Sequence, residues 1–167
     1  MLKIQFALRA CSLGWILVAA SELGICAIFL GDDAEVLIHD LQGRFPQSNF
    51  IGGDQALEAL MVKVVDFIEA PAMGLDLPLD IRGSAFQQKV WQALREIPAG
   101  ETASYSDIAK KIGAPKAFRA VAQACAANAL AVVIPCHRVV KSDGAISGYR
   151  WGVQRKITLL AREALKP

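Results

Sequence analysis

A cysteine followed directly by a histidine and an arginine is the arrangement in this chain with the clearest capacity for chemistry. Cys136, His137 and Arg138 follow an apolar run at 130–134 that is typical of a buried strand. A thiol is a strong nucleophile only as its thiolate, so a reactive cysteine needs a base or cationic groups nearby. His137 could be that base, and Glu163 on the last helix could orient it. We therefore expect a nucleophilic site in which the pKa of the Cys136 thiol is lowered.

The other cysteines offer no comparable chemistry. Cys11, Cys26 and Cys125 lie in apolar runs, which is typical of packing residues. No CxxC pair occurs, so the sequence predicts reduced thiols, no disulfide and no metal site. A zinc site at Cys11, Cys26 and His39 is an alternative, but a fourth ligand and short ligand spacings are missing. None of these residues is expected to carry the function.

Charge is distributed unevenly along the 167 residues. Residues 1–85 hold five Lys and Arg against eleven Asp and Glu, net −6, whereas residues 86–167 hold thirteen against five, net +8. A basic half attracts polyanions because Lys and Arg neutralise phosphates, although an ordinary solvated surface could have the same composition. Neither a secretory signal nor an apolar run of the roughly 20 residues that a membrane span needs is visible. We expect a cytoplasmic protein.

The amino-terminal part predicts a small α+β unit. Three apolar segments before residue 31, the first of them alternating, indicate three strands in an antiparallel meander. Two amphipathic helices follow, at about 32–41 and 54–69. Proline and glycine interrupt the pattern at 70–83, which indicates a connector. The sequence therefore predicts two domains, 1–84 and 85–167.

The carboxyl-terminal part predicts a helix-turn-helix. After a first helix at 86–97, Ser104 with Asp107 is a capping signal for a short helix, and Gly113 ends it. A second helix is then expected at 115–128, beginning at a proline. A plain helical hairpin with an exposed basic face is the alternative.

The expected second helix has a polar and an apolar face. Its polar positions, at i, i+3 and i+7, are Lys116, Arg119 and Gln123, and its core positions are Phe118, Val121 and Cys125. Nearly all other positions are alanine, which makes a slim helix. A closing helix at 151–164 is expected to turn four apolar residues inward: Val153, Ile157, Leu160 and Ala161.

The run Ile-Pro-Cys-His-Arg-Val at 134–139 resembles the signature of the 6-O-alkylguanine-DNA alkyltransferases. Segments similar to the family's remaining blocks occur in the expected order, at 86–97, 100–112, 116–128 and 148–163. The resemblance is strong over 79–165 and weaker before it. It implies an α+β fold: a ribonuclease H-like amino-terminal domain, with a three-stranded antiparallel sheet and helices, then a mainly helical winged helix-turn-helix domain.

The resemblance implies an activity and residue roles. The protein would transfer an alkyl group, methyl above all, from 6-O-alkylguanine in DNA to Cys136 once only and without a cofactor; 4-O-alkylthymine is a further candidate substrate. His137 would hold the thiol proton through a bound water, and Glu163 would orient His137. Tyr105 would donate a hydrogen bond to the guanine ring. Asn128 would hold the turn between the recognition helix and the active-site strand, as a residue suited to a positive-φ cap.

The same resemblance implies how DNA is bound. A stacked guanine cannot reach a buried thiol, so the base must leave the duplex, and Arg119 would fill its place from the minor groove. The other expected DNA contacts are Lys116, Gln123, Ala126, Ala127 and Arg138. The expected walls of the base pocket are Val139, Tyr149 and Arg150. The predicted partner is double-stranded DNA containing an alkylated guanine, bound by a monomer.

Two other classes of protein remain open on the residues alone. A thiol hydrolase could use Cys136 and His137 over many cycles, but it leaves the helix-turn-helix and the basic half without a role. A DNA-binding or damage-sensing protein without chemistry would use the helix-turn-helix and keep Cys136 only for packing.

Overall fold

The computed structural model describes residues 2–71 and 74–164. The chain divides into two compact units, at 1–81 and 82–167, each with its own strands and helices. The mixed α+β class expected from the sequence is confirmed. No helix within the two described ranges is both long and apolar enough to cross a membrane.

The first unit is a sheet with two helices packed on it. Its strands are β1 (Lys3–Cys11), β2 (Gly14–Ser21), β3 (Gly24–Gly31) and β4 (Asn49–Gly52), and its helices are α1 (Ala34–Arg44) and α2 (Gln55–Glu69). The first three strands form the predicted antiparallel meander. The expectation of three strands was wrong by one, because β4 pairs in parallel with β1 and gives the order β3-β2-β1-β4. Only Phe50 and Ile51 mark β4, which is too short for a periodic signal.

The second unit is mainly helical. It contains α3 (Ala85–Arg95), β5 (Ala103–Ser104), α4 (Tyr105–Lys111), α5 (Phe118–Ala126), a 3-10 turn (Cys136–Arg138), β6 (Val139–Val140) and α6 (Val153–Ala164). The helices α3, α4 and α5 pack against one another, and β5 pairs in parallel with β6. The parallel pair joins the start of α4 to the 3-10 turn that carries the Cys-His-Arg sequence.

The helix-turn-helix is formed by α4 and α5. Its predicted cap is confirmed: Ser104 Oγ accepts from the Asp107 N–H at 2.9 Å, and the Asp107 carboxylate accepts from the Ser104 N–H at 3.0 Å. Gly113, at φ 80°, follows the end of α4 as expected.

The second helix of the pair begins later than expected. It starts at Phe118 rather than at Pro115, because the Ala117 N–H donates to the Ala114 carbonyl at 2.9 Å and closes a β-turn. Pro115 occupies the second position of this turn, where proline is favoured. Lys116 therefore lies in the turn and not on the helix, and Phe118, expected in the core, is 45% exposed.

The apolar run before the cysteine is a buried turn, so the prediction of a strand at 130–134 was wrong. The Val133 N–H donates to the Ala131 carbonyl at 2.8 Å, and the Ile134 N–H donates to the Leu130 carbonyl at 3.1 Å. Val132 adopts φ 70°. A short apolar run reports burial but not the backbone conformation, which explains the error.

The closing helix α6 buries a different face from the one expected. Lys156, Leu159 and Glu163 point inward, whereas Val153 and Ile157 are each 42% exposed. The buried positions follow the helical spacing i, i+3 and i+7. Two of them carry charge and find polar partners inside the unit, so hydrogen bonding rather than apolar periodicity determines the orientation of the helix.

Candidate active site

The buried turn brings the sulfur of Cys136 against the side chain of Asn128. Asn128 has no exposed surface; its Oδ1 accepts from the Leu130 N–H at 2.8 Å, and its Nδ2 donates to the Ile134 carbonyl at 3.0 Å. The same Nδ2 lies 3.4 Å from Cys136 Sγ. The expected positive-φ cap at Asn128 was wrong, since its φ is not positive. Its amide instead ties the turn together and contacts the sulfur.

Burial determines the protonation state of Cys136. The residue is 4% exposed, and burial raises the pKa of the Cys136 thiol to about 11. The hydrogen bond from Asn128 and the positive charges of Lys156 and Arg150 lower the pKa, but by less than burial raises it. The expectation of a lowered pKa was therefore wrong for the resting site. The cysteine is a thiol, and a base must take its proton before it can attack.

One buried carboxylate joins His137 and Arg138. Glu163 Oε2 lies 2.9 Å from His137 Nε2 and accepts from Arg138 Nη2 at 2.7 Å, while Glu163 Oε1 accepts from Arg138 Nε at 2.9 Å. Arg138 Nη1 donates to the Ile97 carbonyl at 2.6 Å. The planar guanidinium of Arg138 thus binds the Glu163 carboxylate in a bidentate manner. Arg138 was expected to contact DNA, and that contact stays a prediction; in the structure the residue is 7% exposed and its guanidinium is paired with Glu163.

The network also fixes the tautomer of His137. Burial lowers the pKa of His137 against the opposing effect of Glu163, so the ring is neutral at pH 7. Burial raises the pKa of Glu163, but hydrogen bonds from His137 and Arg138 outweigh it and lower the value to about 2. Because the carboxylate can only accept, Nε2 carries the proton of His137. Its Nδ1 is buried without a hydrogen-bond partner among the described residues, and its lone pair can take up a proton.

A buried lysine, which the sequence reasoning missed, lies beside this network. Lys156 has no exposed surface, and its Nζ donates to Ser147 Oγ at 2.8 Å and to the carbonyls of Val139 at 2.6 Å and Gly148 at 3.2 Å. Burial lowers the pKa of Lys156. Ser147 Oγ lies 2.7 Å from the Tyr105 hydroxyl, which connects the lysine to the residue expected at the guanine ring.

A signal for Lys156 was present in the sequence. Lys156 and Glu163 are seven residues apart and share a helix face with Leu159. The competing apolar stripe on α6 concealed this relationship. Ser147 gave no comparable signal, because a serine in a glycine-containing loop is common.

The three residues expected around the base lie near the same buried groups. The ring of Tyr149 is edge-on to that of His137, with centroids 6.4 Å apart, and the Tyr149 hydroxyl is buried without a partner among the residues that the structure describes. Val139 is fully buried. Arg150 donates to the Asn128 carbonyl at 2.8 Å and lies 5.3 Å from the centroid of the Trp151 ring. Their role as pocket walls stays a prediction.

The remaining residues expected at DNA occupy α5, the turn before it and the residue that caps its carboxyl end. Four of them are exposed, namely Lys116, Arg119, Gln123 and Ala126, and Ala127 is half-buried. The opposite face of α5 is buried and includes Val121, Ala124 and Cys125. The exposed face is therefore available to a partner, and its contact with DNA stays a prediction.

Comparison with known proteins assigns the chain to a family. The family profile described as "6-O-methylguanine DNA methyltransferase, DNA binding domain" matches residues 85–165. The chain is 57% identical over 163 residues to "Bifunctional transcriptional activator/DNA repair enzyme Ada" of Escherichia coli (strain K12), covering 98% of this chain and 46% of that protein. It is 40% identical over 139 residues to "Methylated-DNA--protein-cysteine methyltransferase, inducible" of Bacillus subtilis (strain 168), covering 81% of this chain and 78% of that protein.

A solved structure agrees with the sequence comparison. The Mycobacterium tuberculosis protein OGT, crystallised in complex with DNA, superimposes with a TM-score of 0.78 at 30% identity, covering 97% of this chain and 92% of that one. The chain belongs to the methylated-DNA–protein-cysteine methyltransferase family. It spans about half the length of the Escherichia coli relative.

Proposed function

We propose that this chain repairs alkylated DNA by moving the alkyl group of 6-O-alkylguanine, methyl above all, onto Cys136. The observation that carries the proposal is a buried thiol in contact with Asn128 and followed by a neutral histidine that Glu163 orients. Membership of the methyltransferase family supports the reaction class. No cofactor takes part, because the substrate itself brings the group that is transferred.

The proposed reaction begins with removal of the thiol proton. The Nδ1 lone pair of His137 takes this proton through a bridging water, and the Glu163 carboxylate stabilises the resulting imidazolium. The sulfur of Cys136 then attacks the alkyl carbon in line with the departing oxygen. The S–C bond forms, the C–O bond breaks, and its electron pair stays on guanine. Tyr105 donates a hydrogen bond to the ring and disperses that charge.

The alkylated form of Cys136 limits each protein molecule to a single transfer. Cys136 ends as a thioether, which water does not cleave under mild conditions, so each molecule acts once. The thioether also leaves no proton for His137 to remove. The protein is therefore expected to be consumed in proportion to the lesions that it repairs.

The proposed partner is double-stranded DNA containing the alkylated base, bound by a monomer. The exposed face of α5 and the turn before it supply Lys116, Arg119 and Gln123 for DNA, while Ala126 and Ala127 keep the approach narrow. Lesion and thiol meet only if the guanine leaves the stack, and Arg119 is proposed to occupy its place.

The unstacked base is proposed to lie among three residues close to the buried network. These are Val139, Tyr149 and Arg150. The buried hydroxyl of Tyr149, which has no hydrogen-bond partner within 2–71 and 74–164, supports this position, because a buried polar group without a partner is stabilised when a ligand supplies one.

The test is a time course with duplex containing one 6-O-methylguanine in excess over the protein. The wild type is expected to repair one lesion per molecule and then stop. Cys136→Ala should repair none, and Cys125→Ala, which alters another buried cysteine of the same unit, should match the wild type. Continued product formation would indicate a thiol hydrolase instead. DNA binding without repair by the wild type would indicate a damage sensor.

A further inference from the structure

The hydrogen bonds of Lys156 restrict what its neighbours can do. An ammonium group has three donors and no acceptor, and Lys156 directs its donors to Ser147 Oγ, the Val139 carbonyl and the Gly148 carbonyl. Ser147 Oγ must therefore accept from Lys156. The serine hydroxyl retains one hydrogen and one lone pair for its other neighbours.

Among the described residues, two acceptors lie within reach of the Ser147 hydrogen. The Tyr105 hydroxyl lies at 2.7 Å, and the Val139 carbonyl lies at 3.3 Å. The first distance is typical of an O–H···O bond and the second exceeds the normal range. The Val139 carbonyl already accepts from Lys156 at 2.6 Å. Ser147 therefore gives up only a weak contact when it donates to Tyr105.

The direction of this bond decides where the phenol hydrogen points. When Ser147 donates to Tyr105, the hydrogen of Tyr105 is available to a third group. When Ser147 donates to Val139, Tyr105 must donate to Ser147 to keep the 2.7 Å contact, and its hydrogen is then occupied. Without the lysine ammonium, the Val139 carbonyl loses its best donor and draws the serine hydrogen to itself.

We propose that Lys156 and Ser147 are positioning residues that make the Tyr105 hydrogen available to the departing guanine. The inference rests on the proposed function, because Tyr105 needs that hydrogen only if a base leaves with the electron pair of the broken C–O bond. The proton taken from the Cys136 thiol is held at His137 and balances the negative charge on guanine. Tyr105 donates a hydrogen bond to that charge, and Ser147 supports the phenol oxygen.

The test uses the rate constant for methyl transfer from duplex DNA in a single turnover. Ser147→Ala removes the donor to the Tyr105 oxygen, so the phenol is no longer oriented and polarised towards guanine, and we expect transfer to be about tenfold slower. In a Tyr105→Phe background the same change should cost less than twofold, because the hydrogen that it directs is gone. Lys156→Met should reduce the rate as well, because Ser147 then donates to Val139 and accepts the Tyr105 hydrogen. Adding Ser147→Ala removes that acceptor and should cause no further loss. Ser142→Ala, in an exposed loop position, is the matched control.

A second substrate separates positioning from an effect on the thiol or on the fold. Methyl iodide serves as a second methyl donor, with transfer measured on the peptide that contains Cys136; its leaving group, iodide, needs no hydrogen bond from Tyr105. Ser147→Ala should react with methyl iodide as fast as the wild type does. Equal slowing with both substrates, or a full tenfold loss in the Tyr105→Phe background, would overturn the inference. If the wild type transferred no methyl group from DNA, the proposed function itself would fail, which is a different result.

Discussion

Replacing Glu163 by glutamine tests the buried network most sharply. The substitution preserves the size of the side chain and removes its charge. The Arg138 guanidinium, 7% exposed, would then lie in the interior without a counter-charge. The new amide nitrogen can only donate. Whichever carboxylate oxygen it replaces, it faces an N–H donor of His137 or Arg138 with no acceptor between them.

The magnitude follows from the carboxylate itself. The pKa of Glu163 falls from its ordinary value of 4.5 to about 2 in the folded protein, which corresponds to about 3 kcal/mol of stability at neutral pH. Breaking a buried ion pair by removing one partner costs roughly 3–5 kcal/mol in other proteins, in agreement with this value. For a chain of this length we expect a melting temperature lower by about 6–12 °C.

Thermal unfolding followed by tryptophan fluorescence is the assay, because Trp91 and Trp151 both lie in the second unit. The control is Glu96→Gln, the same chemical change at an exposed ion pair, Glu96 with Lys111 at 2.9 Å. That pair is solvated and screened, so its loss should leave the melting temperature nearly unchanged. Equal effects of Glu163→Gln and Glu96→Gln would refute the reasoning that burial gives the Glu163 network its strength.

Three further predictions follow from the site. The free energy of unfolding, measured by chemical denaturation, should fall as the pH drops from about 4.5 towards 2. The folded protein keeps Glu163 ionised over this range, whereas the unfolded chain takes up a proton. The fall should be weaker in Glu163→Gln. Asn128→Ala leaves the Leu130 N–H and the Ile134 carbonyl without their amide partner, and should cost about 2–4 kcal/mol by urea titration; no loss would contradict the hydrogen bonds described. Arg119→Ala should slow repair in duplex DNA, with an unchanged melting temperature and an unchanged rate on the free base, where nothing has to be unstacked; equal slowing on both substrates would exclude a role in unstacking.

The sequence predicted those parts of the fold that local chemistry determines. Ser104 and Asp107 form the expected cap because the capping box needs only two side chains at a fixed spacing. The strand β4 was not predicted, because two apolar residues are too few to show a periodic pattern. Its pairing with β1 also depends on a segment more than 40 residues away in the chain. The orientation of α6 was wrong because Lys156 and Glu163 find buried partners that no local pattern records.

The sequence motif predicted which residues form the site, but it did not predict their pKa values or their burial. The Cys136-His137 pair and Glu163 as the group that orients His137 were proposed from the sequence, and the structure places Glu163 2.9 Å from the imidazole. The direction of the Cys136 pKa shift could not be predicted, because it depends on the depth of burial. The burial of Arg138 could not be predicted either, because its counter-charge, Glu163, lies 25 residues further along the chain.

The central claim is that Cys136 keeps the alkyl group. The most direct measurement is intact-protein and peptide mass spectrometry after the protein is mixed with an equal amount of duplex containing one 6-O-methylguanine. We expect a mass gain of one methylene on the peptide that contains Cys136, limited to one per molecule and absent from the peptide that contains Cys125. An unmodified Cys136 alongside repaired DNA, or a methyl group on another residue, would contradict it.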